Sequence, residues 1–305
     1  MTATGPTGTG TGLGSGSGTG TPAGTGRFAR TPAGTGRFAR TSAGDAKGST
    51  LRGALAGEWI KLRSVRATPL AAAVALAAAL FIGLVDYAGA ADHWDTWTAD
   101  ERARFDPVRY GFSGGFYVAV LAVGTLGTLT ASSEYGTGQI RSSLAAIPRR
   151  GRLLTAKALV VAATATVLGE LLALLTFLLG RRALSAKHLA VSLGDPGVAR
   201  AVLGCGLFLA VFALVGLALG FVVRHTAGAL AALYGLFFLS PVLLAPFGDD
   251  ASRYGLQGVF EGLGSTVTAA GGADRLGPVA CFAALGGYLV VALALAAVSL
   301  HRRDA

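Results

Sequence analysis

The chain has 305 residues, of which 52% are hydrophobic and 14% are charged, and its formal net charge is +10. The apolar residues form six blocks of roughly the 20 residues that a bilayer core requires per helix, which excludes a soluble domain and indicates an all-α polytopic membrane protein. The charge follows predicted membrane sides rather than a nucleic-acid patch: one side carries 17 Lys/Arg against 4 Asp/Glu, and the other carries 9 against 10.

Residues 1–50 are rich in Gly, Thr, Ser and Pro, and the decapeptide at 21–30 is repeated without change at 31–40. Such sequence cannot bury a hydrophobic core. We therefore predict a disordered cytoplasmic tail over 1–50 and a membrane domain over 51–305. Contact of the tail arginines with anionic lipid or nucleic acid is the alternative interpretation.

Residues 51–66 are predicted to form an amphipathic helix that lies on the membrane surface. A helical projection places five apolar side chains in one broad stripe: Leu51, Leu55, Trp59, Leu62 and Val65. The basic residues lie outside the centre of this stripe. Glu58 falls inside it, so this carboxylate is expected either to tilt out of the stripe or to pair with Lys61.

Six membrane-spanning helices are predicted in the remaining sequence. Their approximate bounds are 69–87, 116–131, 153–179, 201–223, 227–247 and 277–300. Pro241 and Pro246 predict a kink at the outer end of the fifth span. In the fourth span, the spacing of Gly216 and Gly220 allows a neighbouring helix to approach closely. Residues 256–263 are spaced for a short helix in the outer interface.

The loop over 133–152 separates the second and third spans and is polar and basic. Read as a helix that begins at about Gln139, it places Ile140, Leu144 and Ile147 on one face. Arg149 and Arg150 follow its predicted end at Pro148. Two interpretations stay open: a contact surface that transmits motion from a cytosolic partner into the membrane, or an ordinary positive-inside loop.

Glu170 lies near the middle of the third predicted span. An acid at this depth is costly, so it predicts a functional site that faces a cavity or a partner helix. A structural hydrogen bond to a neighbouring Thr or Ser is the alternative.

Catalytic and nucleotide-binding motifs are not apparent. A P-loop needs Gly directly before Lys, whereas all four lysines follow Ala or Ile. Residues 111–115 match the pattern of a nucleophile elbow, but no predicted strand precedes them and no triad accompanies them. Cys205 and Cys281 both lie inside predicted spans, which argues against a disulfide framework or thiolate metal cluster. We predict that this chain is not an enzyme and holds no metal or cofactor.

Three stretches, at 58–66, 134–157 and 299–304, together resemble the permease subunit of ABC-2 type transporters. The resemblance covers about residues 51–305. It implies an exporter subunit in a bacterial plasma membrane, with both termini cytoplasmic, that pairs with itself or with a sibling permease. Separate P-loop ATPase subunits would bind the ATP and Mg²⁺. In this family plan residues 51–66 are the elbow helix and Gln139 to Ile147 the coupling helix.

The resemblance also assigns roles to individual residues. The elbow helix would contribute Glu58, Trp59, Lys61 and Arg63. The ATPase contact would use Glu134, Gln139, Ile140, Arg141, Leu144, Ile147, Arg149 and Arg150. The alternative function is a non-transporting membrane scaffold or immunity-type protein whose basic loop only recruits a partner. Neither interpretation specifies a transported substrate.

Overall fold

A computed structural model of the chain describes residues 50–64, 67–147, 149–266 and 276–302. All of them belong to one compact unit over 45–305, and every regular element in these ranges is helical. The predicted tail and its repeat lie outside the described residues.

The described residues form thirteen α-helices. In chain order these are α1 Leu51–Ser64, α2 Ala67–His93, α3 Ala99–Arg104, α4 Pro107–Gly111, α5 Gly114–Gly136, α6 Gln139–Ala146, α7 Arg150–Ser185, α8 Val198–Val223, α9 Thr226–Phe238, α10 Ser240–Leu244, α11 Asp249–Arg253, α12 Leu256–Gly264 and α13 Pro278–Arg302. Short 3₁₀ turns follow α2 and α10.

Five of these helices, α2, α5, α7, α8 and α13, are long and apolar enough to cross a membrane. They confirm a polytopic α-helical membrane protein. Helices α2, α5, α7 and α8 each contain one of the predicted spans and extend beyond it at one end or both, because polar residues at span ends still complete helical hydrogen bonds. Helix α13 begins one residue after the start of its predicted span and ends two residues beyond it.

The fifth predicted span is broken rather than continuous. Residues Thr226–Phe238 and Ser240–Phe247 are each helical and meet at an angle of 62°. Pro241 has no N–H to donate to the carbonyl of Phe237, and its ring crowds that carbonyl. The Ser240 hydroxyl donates to the Phe237 carbonyl instead, over 3.0 Å. The proline therefore causes a sharp break where a kink was predicted.

Helix α8 is the centre of the bundle, because 78% of the residues in its most apolar stretch are buried. Its glycines lie directly against α5: a Cβ on Gly216 would be 2.7 Å from Thr128 Oγ1, and one on Gly220 would be 2.9 Å from the Cβ of Ala131. The small residues predicted to allow close approach therefore pack α8 onto α5.

At one end of the bundle, α4 and α12 are joined through Asp106. This buried carboxylate caps α4 by accepting from the N–H groups of Val108 and Arg109, and it also accepts from Thr266 N at 2.6 Å. Helix α12 begins and ends within one residue of its predicted bounds. The opposite end of the bundle carries α1, α6 and the first turns of α7.

Candidate functional site

Helix α6 forms within the basic loop, as predicted. It begins at Gln139 after Gly138, whose φ of +71° is in the left-handed region that glycine adopts without strain. It ends at Ala146, and Pro148, the predicted stop, lies outside the described residues.

The apolar face of α6 packs against the protein itself. Ile140 is 3% exposed and Ile147, the residue after the helix, is 9% exposed, while Leu144 is half-buried. These two side chains anchor α6 on its own chain, as expected for the apolar stripe of a short surface helix. Contact of Ile140 and Ile147 with a partner stays a prediction.

The outward face of α6 is polar and small. Gln139, Arg141 and Arg149 from the predicted contact set are exposed, as are Ser142, Ala145 and Ala146. Arg150 points elsewhere, since its guanidinium donates to the Leu300 carbonyl at the end of α13 over 2.7 Å. The surface available to a partner is thus narrower than the sequence predicted.

Glu134, also predicted to contact a partner, is buried at 4% exposure. It belongs to a group of four charged side chains, Glu58, Lys61, Glu134 and Lys157, which we call the ion cluster. Two of them come from α1, one from the end of α5 and one from α7. The structure thus brings together three residues predicted separately as elbow or loop residues, and adds Lys157.

Each lysine of the ion cluster bridges both glutamates. Lys61 Nζ lies 2.8 Å from Glu58 Oε1 and 2.8 Å from Glu134 Oε1. Lys157 Nζ lies 2.7 Å from Glu58 Oε2 and 2.8 Å from Glu134 Oε1. Two positive and two negative charges balance, so the cluster has no net charge to stabilise in a poorly solvated site. The prediction that Glu58 pairs with Lys61 is confirmed.

The ion cluster also reaches α6. Lys61 Nζ donates to Ser143 Oγ over 3.0 Å, and Ser143 is the buried polar residue of that helix. Lys157 additionally donates to the Thr130 carbonyl of α5 over 3.3 Å. One set of charge-assisted hydrogen bonds therefore joins four helices: α1, α5, α6 and α7.

The lysines differ in their exposure to water. The Lys157 side chain is 1% exposed, whereas that of Lys61 is 37% exposed. Partial burial lowers the pKa of Lys61, but its hydrogen bonds to Glu134 and Glu58 together outweigh this effect, so the pKa is raised above its usual value. Lys61 therefore stays protonated at neutral pH and keeps the cluster balanced.

Two cavities flank the ion cluster. One of about 220 Å³ lies between α1 and α5 and is lined by Lys61, Glu134 and Gln139. Another of about 440 Å³ lies between α1 and α6 and is lined by Gly57 and Ser143. The Oε2 atom of Glu134 is buried and accepts no hydrogen bond from the described residues. The cluster is thus buried but adjoins two cavities, and one of its carboxylate oxygens has an unused acceptor position.

The remaining elbow residues lie on the outer side of α1. Trp59 is 45% exposed and Arg63 is exposed. Leu51 of the predicted apolar stripe is exposed as well, whereas Leu55 packs against the core and Glu58, which lies in the same stripe, is buried. One edge of the stripe therefore meets the protein, and the exposed edge with Leu51 and Trp59 suits contact with lipid.

Glu170 lies on α7 and is half-buried against α8. A Cβ on Gly206 would be 2.4 Å from the carboxyl carbon of Glu170. Within the described residues its carboxylate receives no hydrogen bond, so the structural bond considered as an alternative is not present there. A role for Glu170 stays a prediction.

No family model, curated protein or solved structure matches this chain. Its membership in a family therefore stays a proposal that depends on the residues themselves.

Proposed function

We propose that this protein is the membrane subunit of an ATP-binding cassette exporter, driven by a separate P-loop ATPase that docks on the exposed face of α6. In this proposal the bent pair of α9 and α10 counts as one span, so that the subunit has six membrane spans. Helix α1 is the elbow helix on the membrane, and a second permease subunit completes the transporter. ATP and Mg²⁺ belong to the ATPase subunit.

The observation that carries the proposal is the connection between α6 and the membrane helices. Helix α6 exposes a polar face with the cation Arg141, which no carboxylate pairs with in the part of the chain that the structure describes. Its buried face is held by Ile140 and by the hydrogen bond that Ser143 accepts from Lys61 of the ion cluster. A partner that pushes on α6 would move α1, α5 and α7 with it, because charge-assisted hydrogen bonds join all four helices. An ordinary loop needs no such connection.

The positions of the first and last described helices support the same orientation. The Arg150 bond to Leu300 and a 3.4 Å bond from Arg224 to the Ser299 carbonyl hold the end of α13 beside the basic loop. Helix α1 joins the same end through the ion cluster. The predicted cytoplasmic location of both termini requires this arrangement.

The experiment is purification of the tagged full-length protein from its native membrane, followed by mass spectrometry and an ATPase assay. We expect a P-loop ATPase to co-purify. Arg141→Glu should reduce its recovery about tenfold or more, because a reversed charge at the centre of a docking face repels what the original charge attracted. Since Arg141 is exposed, thermal unfolding should change little.

Arg182→Glu is the matched control, because Arg182 is exposed at the far end of α7. It should leave the recovery of the ATPase unchanged. Equal recovery with Arg141→Glu and Arg182→Glu would contradict docking on α6. Co-purification of a protein without a P-loop, released by Arg141→Glu, would favour the scaffold function instead.

A further inference from the structure

A cavity of about 180 Å³ lies at the end of the bundle opposite the basic loop, between α3, α4, α5 and α12. Arg104, one of the residues that line it, is exposed. The side chains that determine its chemistry are Arg104, Arg109, Tyr110, Tyr117, Phe260 and Glu261. No stretch of sequence identified this cavity, since its walls come from four separate helices.

The walls of the cavity are aromatic and held by other rings. Phe260 stacks on Phe116 with ring centroids 5.2 Å apart, and Tyr117 meets Phe260 edge-on at 6.0 Å. Tyr110 packs against Phe105 at 5.4 Å. Such contacts fix the ring planes, so the cavity presents flat apolar surfaces suited to another ring.

One acid at the cavity is fully occupied. Asp106 accepts from Thr266 N at 2.6 Å, from Thr266 Oγ1 at 2.9 Å and from Ser265 Oγ at 3.2 Å, besides capping α4. Its oxygens have no remaining capacity for a ligand cation. This carboxylate fixes the floor of the cavity and plays no further part in recognition.

The other charges are loosely held. Arg109 and Glu261 are paired at 3.4 Å, and each side chain is about one-third exposed, 37% and 34%. Gln257 donates to Tyr117 and to Glu261 over 3.3 Å in both cases. Exposed pairs at such distances contribute little stability, so Arg109 can turn towards an incoming anion at small cost.

Arg104 supplies the available cation at the cavity. Its side chain is exposed, and within the described ranges no carboxylate pairs with it. The charges of the lining side chains balance, but Asp106 is taken up by Ser265, Thr266 and the N-terminus of α4, and Glu261 is paired with Arg109. The guanidinium of Arg104 is therefore the charged group at the cavity whose donors stay available to a ligand, beside aromatic walls. A ligand that carries one negative charge and a flat apolar body complements both features.

We propose that this cavity binds a small aromatic carboxylate. A cavity of about 150 Å³ in a protein core accepts one benzene molecule, so the volume of about 180 Å³ here suits a single ring with its carboxylate. The ring lies against Tyr110, Tyr117 and Phe260. The carboxylate lies between Arg104 and Arg109. This site is independent of the ATPase and of the function proposed above.

The test is direct binding of fluorobenzoate, followed by fluorine NMR, to the purified full-length protein in phosphatidylcholine nanodiscs without any ATPase. Arg104→Gln should weaken binding about tenfold or more, since it removes a charge-assisted contact. Glu261→Gln should strengthen binding severalfold, because it frees Arg109 and removes a repelling carboxylate. These opposite effects distinguish recognition from misfolding, which weakens binding in both variants.

Arg181→Gln is the control, because it removes an exposed arginine from the same end of the bundle without altering the cavity. It should leave the affinity unchanged. Equal or tighter binding of fluorobenzylammonium would overturn the proposal, as would equal affinities of the Arg104→Gln and Arg181→Gln proteins. Displacement of fluorobenzoate by phosphatidylglycerol in the nanodisc would assign the cavity to a lipid phosphate instead and would also overturn it.

Discussion

Lys157→Met is expected to lower the free energy of unfolding by about 3–5 kcal/mol, the cost of removing one partner from a buried ion pair. Lys157 is the least exposed member of the ion cluster and donates to Glu58, Glu134 and the Thr130 carbonyl. Without it, one partly exposed lysine remains for two buried carboxylates. The measurement is unfolding of the purified protein in mixed micelles, followed by tryptophan fluorescence.

Lys187→Met provides the control. Lys187 pairs with Asp95, and their side chains are 34% and 72% exposed. Exposed pairs contribute about 0–1 kcal/mol, so this substitution should have a small effect although it removes the same charge. Similar losses in both variants would show that burial of the ion cluster contributes nothing particular to stability.

A double-mutant cycle tests whether the ion cluster acts as a unit. Glu58→Gln removes one of the charges that Lys157→Met leaves unbalanced. The double variant should therefore lose less stability than the sum of the single losses, by about 1–3 kcal/mol. Strict additivity would contradict the cluster, because independent sites show no such coupling.

The membrane helices and α6 could be predicted from the sequence because their signals are local. The length of an apolar run is set by the bilayer, and the spacing of Ile140, Leu144 and Ile147 is set by the helical repeat. The Glu58–Lys61 pair spans three residues of one helix, so it too could be predicted. Each of these features depends on neighbours within a few turns.

The ion cluster could not be predicted in full because its other bonds join distant residues. Glu58 and Lys157 are 99 residues apart in the chain, and Lys61 and Glu134 are 73 apart. One signal was present: Lys157 lies within an apolar run, where a charge indicates a buried partner. Glu134, just beyond the end of the preceding span, lies 23 residues before it.

The direction in which α6 faces also required the structure. The helical repeat predicts which residues share a face, but it does not say whether that face meets the same chain or a partner. Ile140 and Ile147 were assigned to a partner on the family resemblance, whereas burial of an apolar face is the general expectation for a short surface helix. The test of docking must therefore use Arg141 rather than Ile140.

Gly127→Ala is expected to destabilise the protein by about 3 kcal/mol through overpacking. Gly127 lies on α5 at its crossing with α8, and a Cβ there would be 2.0 Å from the carbonyl oxygen of Ala213. The obstructing atom belongs to the backbone of the most buried helix, so no side chain can rotate to make room. The two helices must separate, which weakens contacts along the whole crossing.

Gly235→Ala is the matched control, because a Cβ at this position in α9 meets no atom within 4 Å. There the same substitution should stabilise the protein by up to about 1 kcal/mol, since alanine loses less conformational entropy than glycine in a helix. The same change from glycine to alanine is thus expected to destabilise the protein at one position and to stabilise it at the other. Unfolding in mixed micelles measures both, and a stable Gly127→Ala protein would mean that α5 and α8 do not cross at this distance.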